Sequence, residues 1–306
     1  MIPMCIYHKN CADGFGAAWV VNKYFHGEVE FIEAAYGDPP PNVMGRNVIM
    51  VDFSYPLETI LRMRQEVISM VILDHHESAR DALSQLYSPP PNADAWFNSV
   101  LVGWPPSESV RAAAQFDMNR SGAGMTWDWF YPDTPRPQLI NHIEDRDMWR
   151  FNIPRTREIQ SALFSYPYEM YMWDKFMEYS RSDLETFANE GMAIERKHIK
   201  DIHELLPITT RAMVIGGYTV PVANLPYTLA SDAAQVLAYN ANFAATYYDG
   251  AKRRFFSLRS NAINGFNVAN IAKTYGGGGH KHAAGFNMPI GWEGDCTLVY
   301  ERLEPR

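Results

Sequence analysis

Five of the nine histidines fall in three short clusters: His8, the pair His75 and His76, and His280 with His282. Acids stand close to the first two. Asp13 follows His8, Asp52 closes an apolar run, and Asp74 directly precedes His75. Ionisable side chains at the end of an apolar run are costly to bury unpaired, and shared coordination of a metal ion is one resolution. Imidazole and carboxylate donors suit Mn²⁺, Mg²⁺ or Fe²⁺ better than a thiolate site would, and Cys5, Cys11 and Cys296 lack ligand spacing. Two such ions about 4 Å apart can bind both the attacking and the leaving oxygens of an in-line phosphoryl displacement. That arrangement needs roughly six protein ligands, at least one carboxylate being shared. His8, Asp13, Asp52, His75 and one further acid would nearly supply it.

The elements that must position these residues are legible as apolar runs: Ile2 to His8, Val29 to Tyr36, Asn47 to Phe53 and Val67 to His76. Between them GFGAAWVVNKYF and LETILRMRQ have helical spacing. Near-continuous apolar strands joined by helices predict a parallel sheet covered on both faces. Ligands of such sheets bind beyond the carboxyl ends of the strands. His8, Asp52 and the Asp74–His75–His76 run end three separate strands, so one rim receives all of them. From Ser121 to Leu206 the pattern is mostly helical, with SGAGMTWDWFY, PQLINHIEDRDMWRF and a long exposed connector, DLETFANEGMAIERKHIKDIHELL. After Pro207 strands are expected in MVIGGYTVPVANL, FAATYYDG and KRRFFSLRS, and helices in SDAAQVLAYN and VANIAKTY. A GGGGHKHAAGF stretch then precedes a final strand, CTLVYERL. The expected organisation is an α/β chain of two domains, 1–206 with a parallel sheet, helical middle and connector, and 207–306 as a smaller α/β domain.

The net charge of −8 argues against an extended duplex-binding surface, which needs many Lys and Arg to displace counterions. A small phosphorylated ligand held by a local cluster of cations is compatible with it. The three cysteines make no disulfide framework, which fits a reducing compartment. No apolar run approaches a membrane span and the first residues do not read as a secretory signal, so a cytoplasmic protein without membrane partners is expected. A homodimer is left open.

HKNCADGFGAAW, VDFSYP, LDHHESA and GGGGHKHAAGF, in that order, resemble the DHH phosphoesterase superfamily with its C-terminal GGGH-type DHH-associated domain. The resemblance runs from Tyr7 to Phe286. It implies a metal-dependent phosphoesterase or phosphodiesterase acting on a small nucleotide or short single-stranded oligonucleotide, with two divalent metals, Mn²⁺ foremost and Mg²⁺ or Fe²⁺ as alternatives. By the same resemblance His8 and Asp13 would be metal ligands, Asp52 would bridge the metals and His75 would be a further ligand. His76 would contact the phosphate, and Asp74, grouped with the catalytic residues, would orient the histidines. The remaining acid would come from EDRD, with Asp145 favoured over Asp147. Arg259 and the loop from Gly276 through Gly277, Gly278 and Gly279 to His280 would hold the substrate phosphate or base, since glycines let backbone N–H groups approach an anion. One departure stands out: relatives commonly carry an acid-x-acid pair where this chain has Asn10-Cys11-Ala12-Asp13. Asn10 in place of a carboxylate ligand favours a second reading, a nucleotide sensor with a weakened metal site and little catalysis.

Other features have plainer readings. Gly14 and Gly16 are expected to serve a tight strand-to-helix turn, and Cys11 to be a small buried apolar residue. His26, His198 and His203 read as surface residues and His142 as part of a helix face. The aromatics between Trp127 and Trp173 read as core, and Arg150, Arg155 and Arg157 as a solvated rim.

Overall fold

Five apolar segments of the N-terminal half form one all-parallel sheet in the computed structural model, which describes residues 2–101, 111–261, 263 and 265–295. The strands are β1 (Met4–His8), β2 (Glu30–Ala34), β3 (Asn47–Val51), β4 (Ser69–Asp74) and β5 (Ala112–Phe116), in the order β2-β1-β3-β4-β5. Alternate residues of each strand point to opposite faces. Cys5, Tyr7, Ile49, Val51, Val71 and Leu73 enter one apolar cluster; Met4, Ile6, Val48, Met50, Met70 and Ile72 enter the other. Burial on both faces is why β1, β3 and β4 read as continuous apolar runs. The strand order reverses between β1 and β3, which opens a crevice at their carboxyl ends. β5 was not foreseen: its AAAQF sequence has little β propensity, and it gains its place at the sheet edge by pairing with β4.

The helices of this half are α1 (Ala12–Tyr24), α2 (Leu57–Glu66), α3 (Glu77–Ala82), α4 (Ala93–Leu101), α5 (Gly122–Phe130), α6 (Gln138–Asp147), α7 (Thr156–Phe164) and α8 (Met170–Met177). The first cluster is completed by α1, α5 and α6, and holds Trp127, Trp129 and Trp173 as core. Ile60 and Met63 of α2 complete the second. The long helix α9 (Arg181–Thr209) follows. The chain divides into two compact units, Met1–Glu195 and Arg196–Arg306, within this helix. Its start is anchored by Leu184, Phe187 and Ala188 in the first cluster. Its end is anchored by Ile202 and Leu206 among residues of the second unit, so the expected exposed connector carries an apolar stripe at each end.

The second unit carries a mixed sheet of β6 (Thr210–Ile215), β7 (Tyr218–Asn224), β8 (Ala244–Asp249), β9 (Arg253–Arg259), β10 (Gly278–His280) and β11 (Ala283–Pro289), ordered β10-β11-β9-β8-β7-β6. Its helices are α10 (Ala230–Leu237) and α11 (Val268–Thr274). Among these described strands only β7 and β8 pair in parallel. The glycine run is a correction to the expected loop: Gly278, Gly279 and His280 form the edge strand β10, paired with β11. A Cβ on Gly277 would lie 2.1 Å from the Gly285 carbonyl oxygen, so the glycines serve close strand packing. The turn itself is carried by Gly276, at φ +77°. The expected strand CTLVYERL lies outside the described residues.

Candidate functional site

His8 ends β1, Asp52 directly follows β3, and Asp74, His75 and His76 close β4, so the strand ends on either side of the switch point carry the candidate residues. Asp13 joins them from the first turn of α1. Asp52 has φ +53°, an uncommon backbone for a residue with a side chain, and its N–H donates to the Leu73 carbonyl at 3.0 Å. The kink turns its carboxylate from the strand direction into the crevice. His75 Nε2 is then 3.0 Å from Asp52 Oδ1, 3.5 Å from Asp13 Oδ2 and 3.6 Å from Asp147 Oδ2. His8 Nδ1 lies 3.6 Å from the other Asp52 oxygen. Two donor groups result, Asp13–Asp52–His75 and His8–Asp52–His76, each offering donor atoms within 4.8 Å of one another. Asp52 belongs to both.

Surrounding groups fix these side chains. Asp74 is fully buried; it accepts from Ser54 Oγ at 2.6 Å, from the backbone N–H of His75 at 2.7 Å and of His76 at 3.2 Å, and pairs with His76 Nδ1 at 2.7 Å. That carboxylate therefore orients the histidine pair from behind. The amides of Gly122 and Ala123, at the N-terminus of α5, donate to Asp13 at 2.5 and 2.9 Å, where the helix dipole favours an anion. A Cβ on Gly122 would stand 2.4 Å from the Asp52 Cβ, so only glycine lets this helix end approach both acids. The helix end is backed by Glu144, which accepts from Ser121 N–H at 3.1 Å and from Arg136 at 3.0 Å. Gly14 and Gly16 lie inside α1 rather than in a turn. A Cβ on Gly14 would lie 2.3 Å from the His8 carbonyl oxygen, and one on Gly16 would lie 3.1 Å from Ala123. Close approach of α1 to β1 and α5, not turn freedom, explains both.

The cluster is short of positive charge. Burial, joined by the Asp52 and Asp147 charges, pushes the Asp13 carboxyl well above the ordinary range. Burial would do the same to Asp52, but His75 and His8 hold it well below. Asp74, buried yet paired with His76, is held at about 2. Burial alone would lower His75 and His76; the surrounding carboxylates raise both instead, Asp147, Asp52 and Asp13 acting on His75 and Asp74 on His76. One imidazole thus faces three carboxylates. Among the described residues Asp52 Oδ2 is buried with only His8 Nδ1 near it, at 3.6 Å and beyond hydrogen-bond length, a thin compensation for an ionised oxygen that a bound cation would complete. The donors are carboxylates and imidazoles, the set that hard and borderline divalent cations take. The residues fit a divalent metal, with His8, Asp13, Asp52, His75, His76 and Asp147 as the groups that would hold it.

The structure brings together His8, Asp13, Asp52, His75 and His76. It brings Asp147 to them where the sequence favoured Asp145. Two residues apart on α6, the two cannot share a helix face. Asp145 is buried and accepts from the N–H groups of Asn152 and Ile153, at 2.8 and 3.1 Å, and from Thr156 Oγ1 at 2.7 Å. Thr156 also meets His142 Nδ1 at 2.8 Å. Such a loop clamp has no sequence signature beyond the nearby Asn and Thr. Asn10 is exposed at φ +54°, a backbone that asparagine tolerates, while its neighbour Cys11 lies in the field of the acids. Burial and the Asp52, Asp147 and Asp13 charges push the Cys11 thiol well up. In the second unit, Arg259 donates to Ser257 Oγ, the Leu258 carbonyl and Ser231 Oγ at 3.0, 2.8 and 2.7 Å. The sequence reading overlooked Tyr36, whose ring stands beside those of His8 and His76.

No family model matches the chain. It is 26% identical, over 97% of its length and 72% of the relative's, to uncharacterised protein R106 of Acanthamoeba polyphaga mimivirus. Among solved structures it is similar to a pGpG-specific phosphodiesterase, PggH of Vibrio cholerae, at TM-score 0.43 and 12% identity over 94% of each chain. It is also similar to RecJ of Thermus thermophilus in complex with Mg²⁺, at TM-score 0.39 and 12% identity, over 94% of this chain and 47% of that one. No helix among the described residues is long and apolar enough to cross a membrane.

Proposed function

We propose that the protein is a metal-dependent phosphoesterase that hydrolyses short single-stranded oligonucleotides or small nucleotides. The observation that carries this reading is Asp52, a buried carboxylate common to two donor groups at the switch point of a parallel sheet. The ordered motifs that resemble the DHH superfamily supply the reaction class. Divalent ions, Mn²⁺ foremost, would supply Lewis acidity there, activating water at neutral pH and offsetting phosphoryl charge. The chain's own residues hold the geometry. Asp52 presents one oxygen toward His75 and the other toward His8. Asp74 fixes the His76 ring through Nδ1, so that His76 would meet the metal or the incoming phosphate in a set orientation. Pre-set donors of this kind cost no reorganisation when charge develops on phosphorus-bound oxygens. Arg259 and the Gly277–His280 segment remain the candidates for a second substrate contact.

One observation favours a nucleotide-binding protein that does not cleave. Both Asp13 oxygens accept backbone amides of α5, which makes that carboxylate a poorer donor to a metal. The same experiment decides between the readings. Purified protein is incubated with dinucleotides, short oligoribonucleotides, cyclic dinucleotides and nucleoside bisphosphates, with Mn²⁺ and with EDTA. Mn²⁺-dependent release of a product from at least one class is expected. Binding without turnover in every class would leave the sensor.

A further inference from the structure

We propose that Tyr36 is a substrate-contacting residue of the phosphoesterase site, its hydroxyl donating a hydrogen bond to the phosphate. The inference rests on the phosphoesterase reading. It starts from a turn. The Asp38 N–H donates to the Ala35 carbonyl at 3.0 Å, and Gly37 has φ +95°, the third-position conformation of a type II turn. That places Tyr36 at the outermost corner, immediately beyond the carboxyl end of β2. The turn is tied to β1 at two points: Lys9 N–H donates to the Ala34 carbonyl at 3.0 Å, and Lys9 Nζ to Asp38 Oδ2 at 2.9 Å. The same Asp38 oxygen accepts the Ala35 N–H at 3.0 Å. A corner held this way offers its side chain in a defined position rather than as part of a loose loop.

The ring stands edge-on to His8 and His76, with centroids 6.0 and 5.9 Å away, and packs on Phe53 at 5.4 Å. Two members of the His8–Asp52–His76 donor group therefore flank it. Tyr36 is nonetheless 41% exposed, and no described residue hydrogen-bonds its hydroxyl. A purely packing role would call for phenylalanine, as at position 53. A phenol held against two site histidines and without a partner among the described residues offers a neutral donor to whatever enters, since burial and the Asp74 and Asp52 charges keep its proton on. A phosphate oxygen is the acceptor that the proposed chemistry brings there, and hydrogen bonds to charged groups are the stronger kind.

The test compares Tyr36→Phe and Tyr36→Ala with wild type in three measurements: Mn²⁺ binding by calorimetry, binding of inorganic phosphate to the Mn²⁺-loaded protein, and kcat/KM on a chromogenic nucleoside phosphodiester. Tyr36→Phe should bind Mn²⁺ as wild type does, and should lose about tenfold in phosphate affinity and in kcat/KM, the scale of one hydrogen bond to a charged group. Phosphate affinity and kcat/KM within twofold of wild type would overturn the proposal. Loss in Tyr36→Ala alone would also overturn it, moving the role to the ring. Should wild type hydrolyse nothing, the phosphate arm still decides: weaker binding in Tyr36→Phe supports the contact, and equal binding sinks it. Absence of phosphate binding to a wild type that also hydrolyses nothing would sink both the contact and the phosphoesterase reading, whereas hydrolysis that Tyr36→Phe leaves unchanged would sink the contact alone.

Discussion

The carboxyl rim of the parallel sheet and the glycine-rich edge of the mixed sheet were both expected to bind phosphate, yet they satisfy their polar groups in different ways. At the rim, one imidazole faces three carboxylates, and a buried Asp52 oxygen has only His8, at 3.6 Å, beside it among the described residues. At the glycine edge, the backbone is engaged in a β ladder and Arg259 is bonded to two hydroxyls and a carbonyl. A site that leaves charge uncompensated inside the protein needs a ligand of opposite sign. A region that satisfies itself can still bind, but contributes as a positioned charge rather than as an unmet demand. The rim should therefore dominate function, and substitutions should rank accordingly.

The largest effect is expected at Asp52. Asn is the informative replacement, because it tolerates the positive φ that alanine would resist and removes only the charge. Removing an outer-shell partner already costs roughly 10–100-fold in metal affinity or activity, so loss of the shared ligand should exceed roughly a hundredfold in both. Calorimetry with Mn²⁺ and the hydrolysis assay read it. Asp52→Asn with wild-type metal affinity would remove the rim from consideration.

Gly122→Ala comes next and tests whether the helix end sets the acids. The added Cβ would meet Asp52 Cβ at 2.4 Å and its Oδ1 at 2.8 Å, so the carboxylate or α5 must move. A loss of about 10–100-fold in metal affinity is expected, as for other groups that orient ligands. Unchanged Mn²⁺ affinity in a folded Gly122→Ala protein would mean that the rim does not depend on α5.

The two acids of α6 sharpen the comparison, since one belongs to the demanding region and the other to a self-satisfied loop. Asp147→Asn should weaken Mn²⁺ binding with little change in thermal stability. Asp145→Ala should do the reverse, because the Asn152 and Ile153 amides and the Thr156 hydroxyl lose their acceptor. Such a loss costs about 1–3 kcal/mol and should lower Tm by several degrees, read by calorimetric melting. The opposite pattern would restore Asp145 to the site.

This pair also marks where sequence reasoning stops. The parallel strands were readable because burial on both faces makes their composition extreme, and the strand-end histidines and acids followed from that. Asp145 and Asp147 are equivalent in sequence, and only the loop from Met148 to Thr156, folding back over α6, separates them. β5 was hidden because a run of alanines carries no period. The glycine run was read as a loop since composition alone cannot tell conformational freedom from close approach; Gly277 and Gly122 both show the second. Tyr36 was passed over because one aromatic at the end of an apolar run reads as core.

The smallest effect is expected at Arg259, and substrate length gives it meaning. Its guanidinium is bonded to Ser257, Leu258 and Ser231, so it is held in place by neutral groups before any substrate arrives. A KM raised a few-fold on short substrates, with kcat and Mn²⁺ affinity little changed, is the pattern of lost uniform binding. A net charge of −8 argues against an extended basic track for a long strand, and each phosphate contact contributes only about −0.7 to the slope of log affinity against log salt for single strands. A protein with few phosphate contacts should therefore show a shallow salt dependence, made shallower still in Arg259→Ala if that arginine is one of them. Rates should fall as the oligonucleotide lengthens, because added phosphates bring repulsion without new partners. Rates that hold steady over long single strands, with a steep salt slope, would mean that a cationic path exists elsewhere and that the self-satisfied sheet edge is not the second contact.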